Sequence, residues 1–165
     1  MIERKIIIGL IVSTEFIQQL RPVLDARLME SPLAQKLARW CLEYFDKYNK
    51  APGRDIEGIY FQKLRDGLPE IIAEQIEQDI LPSLNEEYKS SKFNLQYLLD
   101  LTKPYLKEKR INKHIKELEG LIEEGNLTEA ENLILDYKPG GEAEGNDFDL
   151  SDEETSKKKI SKGIN

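Results

Sequence analysis

The chain predicts an all-α fold: a globular helical domain followed by a C-terminal antiparallel helical hairpin. Three observations carry that prediction. Apolar residues recur at spacings of three and four along most of residues 1–139. Capping and breaking residues stand where those stripes begin and end. No alternating, strand-like pattern runs longer than a few residues, and the β-prone run Ile6 to Val12 has no segment to pair with. The expected division is a globular helical part over 1–104, a hairpin over 105–139 and a flexible acidic linker or tail over 140–165.

At the N-terminus, Ile6, Ile7, Leu10 and Ile11 predict a buried first helix, with Gly9 allowing close packing. Ser13 caps a second helix carrying Phe16, Ile17, Leu20, Val23 and Leu24. Ser31-Pro32 starts a third, cap followed by proline at the first helical position. Its stripe is Leu33, Leu37, Trp40, Cys41, Tyr44, Phe45 and Tyr48, and the aromatic spacing reads as core. Asn49 to Gly53 ends it. Asp55 then caps a short helix with Ile56, Ile59, Tyr60 and Leu64 inside, closed by Gly67. Pro69 opens the next, aligning Leu68, Ile71, Ile72, Ile76, Ile80, Leu84 and Tyr88, with Pro82 expected to kink it or end it early. Ser90 to Phe93 is a loop, Asn94 a cap, and Leu95, Leu98, Leu99, Thr102, Tyr105 and Leu106 the following stripe, with a kink or fresh start at Pro104.

The hairpin is the clearest statement in the sequence. Ile111, Ile115, Leu118 and Ile122 are spaced four, three, four, a heptad seam. Glu124-Gly125-Asn126 is a short reversal. Asn126 or Thr128 can cap the next helix, each with a glutamate three residues on. Leu127, Ala130, Ile134 and Tyr137 give the complementary seam, and a link this short makes the helices antiparallel. Leu121, Leu133 and Leu135 lie off that seam and are candidates for an intersubunit face. Lys138-Pro139-Gly140-Gly141 stops the helix. Beyond it, Phe148, Leu150, Ile160 and Ile164 are the only large apolar residues, too few to offset the ordering of 26 residues.

Composition narrows the function. The chain has 165 residues, 24 Lys+Arg, 31 Asp+Glu and a formal net charge of −7, which argues against DNA binding by the surface as a whole. No run approaches the roughly 20 apolar residues of a membrane span, and the short apolar run after Lys5 leads to no cleavage-site pattern. One cysteine and one histidine exclude an internal disulfide, a multi-cysteine zinc site and His-pair metal sites. Cytoplasmic residence is the expectation, in a bacterium or a phage-infected host.

Motifs for chemistry are missing. There is no Walker A sequence, no nucleophile elbow and no ordered Ser/His/acid set. Asp147-Phe148-Asp149-Leu150-Ser151 opens like a calcium loop but has Asp152 where glycine belongs and Lys158 where the closing glutamate belongs. His114 reads as packed or solvated, and Cys41 as a buried inert thiol. Glu124 to Ala130 is similar to one helix-turn-helix repeat, with no second copy at the required period. No catalytic, metal or cofactor-binding residue is assigned. One charge feature stands out: from Lys103 to Lys116 there are six basic residues against Glu108 alone. Lys103, Lys107, Arg110 and Lys113 are candidates for a basic contact stripe, with His114 in phase. The plainer reading is a solvated helix face balanced by acids of the next helix.

The layout resembles the N-terminal domain of DnaB-type replicative DNA helicases, in a divergent, phage-like form. Three stretches carry the resemblance: Glu3-Arg4-Lys5-Ile6-Ile7-Ile8-Gly9-Leu10-Ile11 with Phe16; Asn94-Leu95-Gln96-Tyr97-Leu98-Leu99 through Lys107-Glu108-Lys109-Arg110; and Ile111 to Pro139 with its Gly125-Asn126 turn. Residues 140–165 then correspond to the linker before the ATPase domain, and residues 46–91 depart most from the family. The resemblance implies a collar that self-associates as a dimer, three dimers to a hexameric ring, and that contacts primase or a helicase loader. DNA contact would be weak or indirect. ATP and Mg would belong to a RecA-like domain beyond the linker, so this segment alone would not hydrolyse ATP. The alternative is a free-standing helical adaptor of a phage or plasmid replication system. A third option is a small DNA-binding protein using the basic stripe.

Overall fold

The computed structural model describes residues 2–89 and 94–139. The expected Ser90–Phe93 loop and the tail over 140–165 lie outside the described residues. The described chain is helical, with no strand. It divides into two compact units between Leu106 and Lys107, two residues beyond the expected 104–105 boundary. No described helix is long and apolar enough to cross a membrane.

The first unit is built around α1, Ile2–Val12. Ile6, Leu10 and Ile11 have no exposed surface, and burial of each such side chain stabilises by about 1.5–3 kcal/mol. α1 packs against α2 (Thr14–Leu20), α3 (Pro32–Tyr48) and α6 (Leu81–Lys89). Gly9 makes one of these approaches possible: a Cβ there would lie 2.7 Å from the Phe16 ring and 2.9 Å from the Leu98 side chain. Ser13 and Ser31 cap α2 and α3, their hydroxyls accepting from the Phe16 and Ala34 amides at 3.1 and 3.2 Å. Both caps stand where the sequence put them. α3 ends on Asn49 in the left-handed conformation, φ 59°. Past that turn, the Gly53 amide donates to the Ile11 carbonyl at 2.7 Å, tying the loop to the end of α1.

Four features depart from expectation. α4, Asp55–Arg65, starts on Asp55 itself, and the preceding residue makes no side-chain cap. Asp55 instead accepts a hydrogen bond from the Tyr44 hydroxyl. α5 (Glu70–Gln75) runs through one π-helical turn, Ile76–Ile80, into α6, so Pro82 does not end the helix. Proline has no N–H and crowds the carbonyl four residues back, here Gln78. The wider turn just upstream absorbs that, with the Leu81 amide donating to the Ile76 carbonyl. α7 runs unbroken from Leu95 to Glu123 with Pro104 inside it. Its start is capped by Asn94, whose side chain accepts from the Tyr97 amide at 3.0 Å. Finally, three residues assigned to the inner faces are on the outside: Tyr48, Leu64 and Ile71 are exposed. Tyr48 stacks on Tyr44 at 4.6 Å between ring centroids rather than entering the core.

Candidate interaction surface

The second unit begins at Lys107 and contains the end of α7 and α8, Leu127–Asp136. Gly125 has φ 75°, a backbone conformation a side chain would strain. There the Asn126 amide donates to the Leu121 carbonyl at 2.8 Å and the Gly125 amide to the Ile122 carbonyl at 3.0 Å. These two bonds are a Schellman motif, which satisfies the last carbonyls and turns the chain. Asn126 makes no side-chain cap, so the reversal rests on the glycine and not on the expected capping box. His114 and Tyr137 lie in ring contact, centroids 4.5 Å apart. His114 is far up α7 and Tyr137 just past α8, so the two helices double back side by side.

The rotation of each helix differs from the one expected. Ala130 is buried, and Leu118, Leu121, Leu133 and Tyr137 are half-buried, with His114 beside them. These are the least exposed apolar residues of the second unit. Ile111, Ile115, Ile122, Leu127 and Ile134 are instead 42–60% exposed. Leu121 and Leu133, the candidates for an intersubunit face, are thus less exposed than most of the heptad seam. Of the seam residues, Ala130 is buried and Leu118 and Tyr137 are half-buried. Leu135 is 81% exposed and falls on the side of α8 away from α7.

At about 100° per residue, Ile111, Ile115 and Ile122 sit roughly 80–120° round from Leu121. Leu127 and Ile134 sit roughly 40–120° round from Ala130, Leu133 and Tyr137. Both displacements have the same rotational sense along the chain. In an antiparallel pair, the same sense on each helix leads to the same side. The five exposed residues thus form one apolar face along one side of the hairpin. The heptad spacing placed these five residues in the hairpin's own seam, and spacing alone does not say whether a seam is closed by its own hairpin or left open.

The basic stripe is not one free surface. Lys103, Lys107, Arg110 and His114 share a helical phase, and His114 is in tilted ring contact with Tyr137. Arg110 is half-buried, with its Nε enclosed and unpaired among the described residues. Lys113 lies roughly 80° off the phase of Lys103 and pairs with Glu117 on its own helix at 2.7 Å. The balancing acid for Lys113 therefore comes from one turn along α7 rather than from α8.

Elsewhere, Cys41 is fully buried and burial pushes its thiol well above the ordinary range, which suits an inert core residue. Among the described residues, no group of three or more His, Cys, Asp or Glu is arranged to hold a metal ion. No protein family, curated protein or solved structure matches this chain.

Proposed function

We propose that the chain is a non-catalytic interaction module, the amino-terminal collar of a DnaB-type replicative helicase, and that it assembles through the open side of its hairpin. One observation carries this reading: five large apolar side chains, Ile111, Ile115, Ile122, Leu127 and Ile134, stand exposed along one side of a two-helix unit. A contiguous apolar face of that kind is the mark of a surface meant to be covered. Its occupant is a second copy. Two antiparallel hairpins laid face to face across a two-fold axis make a four-helix bundle, in which every exposed residue meets its own counterpart surface. The dimer then supplies the repeating unit of a ring, and primase or a loader would bind the assembled collar. ATP and Mg would act in the ATPase domain beyond the linker.

Mass in solution by light scattering, over a range of protein concentrations, tests this. Dimers or larger assemblies in multiples compatible with a six-membered ring are expected. A strict monomer at the highest concentration overturns assembly through this chain. The second reading, a helical adaptor binding one unlike partner, draws on a different observation. Phe61, Leu64 and Ile71 are exposed in the first unit, remote in sequence from the hairpin. A monomer that loses its partner on Phe61→Ala would favour it.

A further inference from the structure

We infer that the hollow between α1, the start of α3 and the π-helical turn is a binding site for a small amphipathic amine. The hollow has a volume of about 460 Å³, within the range of roughly 300–1,000 Å³ that accepts drug-sized ligands. Ile7, Leu37 and Ile80 give it apolar walls, and Glu3, Arg4 and Asp79 are the charged groups that line it.

Among the described residues, their bonding leaves one charge over. The Arg4 guanidinium grips Asp79 through Nε and Nη2 at 3.0–3.1 Å and also reaches Ser83. This pairing holds the Asp79 carboxyl below the usual carboxylate range. Arg4 and Asp79 therefore neutralise each other at the rim. Glu3 is 6% exposed. Its Oε2 accepts from the Glu30 amide at 2.7 Å and the Tyr105 hydroxyl at 2.6 Å, and its Oε1 accepts from the Ser31 amide at 3.1 Å. All three donors are neutral. They orient the carboxylate without cancelling its charge, and a carboxylate has about four acceptor directions, so Oε1 keeps capacity for another donor. A buried charge without a countercharge is costly. A ligand that brings a cation on an apolar stem satisfies the walls and the carboxylate together. A ligand carboxylate would face Glu3 and be rejected, and an alcohol would gain only the walls.

The inference does not depend on the assembly reading, because the hollow lies wholly in the first unit. Isoleucine-methyl NMR spectra of the whole chain, titrated with n-octylamine, n-octanol and octanoate at neutral pH, test it. Saturable shifts are expected at Ile7 and Ile80, with octylammonium binding at least tenfold more tightly than either control. Glu3→Gln should level octylammonium with octanol. If Glu3→Gln does not fold, Ala34→Leu, which fills the hollow from α3 and keeps the carboxylate, should abolish all binding. Equal affinity for octanol and octylammonium in the unaltered chain overturns the proposal. So do shifts centred on Ile122 and Ile134, which would mark the hairpin's apolar face, and so does the absence of any saturable shift.

Discussion

Gly9 sets how closely α1, Phe16 and Leu98 can approach. A methyl group at Gly9 would meet the Phe16 ring and Leu98 at 2.7–2.9 Å, below any real contact, so something in the core must move. Overpacking of this kind costs about 1–3 kcal/mol. Gly9→Ala should therefore lower the Tm of the first unit by several degrees in a thermal melt despite the better helix propensity of alanine. An unchanged Tm would mean that the two neighbours yield freely. Tyr60 makes a different residue-scale statement. It is fully buried, with its hydroxyl bonded to Glu77 and the Ala73 carbonyl, and burial followed by the Glu77 hydrogen bond pushes its pKa up to about 12 from 10. A raised tyrosine pKa means that the folded state favours the neutral phenol. That contribution is present below the ordinary pKa of 10 and is lost as pH rises through about 12. Tyr60→Phe should cost about 1 kcal/mol at neutral pH and flatten the alkaline loss of stability. Urea midpoints of both proteins at about pH 8 and about pH 11 read the difference, and parallel losses would assign the alkaline sensitivity to other groups.

At the scale of elements, local chemistry made much of the fold readable. Ser13, Ser31-Pro32 and Asn94 each start a helix because a cap is a contact within four residues, fully contained in the sequence around it. The apolar stripes of α1 and α3 were legible for the same reason. What was not legible depends on context outside the element. Pro82 and Pro104 do not break their helices, since packing holds the helix and a π-helical turn accommodates the first of them. Leu64, Ile71 and Tyr48 share a stripe with buried residues but sit at its edge, and periodicity does not give the width of a buried face. The same gap explains the exchange within the hairpin. Heptad spacing placed Ile111, Ile115, Ile122, Leu127 and Ile134 in the hairpin's own seam, but spacing does not give which apolar positions are covered: these five are exposed, Leu121 and Leu133 are half-buried, and the Gly125 turn holds the reversal between the helices. Gly125→Ala tests this role. A side chain at φ 75° costs about 1 kcal/mol. Amide exchange in α8 should quicken several-fold while the first unit keeps its protection. Unchanged exchange would mean that packing alone holds the turn.

For the whole molecule, the question is which unit carries the work. The first has a continuous apolar core that runs from α1 to the start of α7, with Leu98, Leu99 and Leu106 in it. The second has two helices, and among its described residues only Ala130 is a fully buried side chain. On the proposed assembly, a two-helix unit that buries so little of itself and exposes five large apolar residues would gain much of its stabilisation from the second copy. Stability and assembly are then linked, and substitutions on the two faces of α7 should separate them. Ile115→Glu with Ile122→Glu places charges on the open side without touching Leu118, Leu121 or Ala130. It should reduce the solution mass to that of the monomer while the helix content of the dilute protein changes little. Leu121→Glu puts a charge inside the hairpin and should lower helix content and mass together. The unaltered chain should also melt at a higher temperature as its concentration rises, and the open-side variant should not. If the open-side variant keeps the full assembled mass, the hairpin is not the assembly surface, and exposed Phe61, Leu64 and Ile71 become the next face to alter.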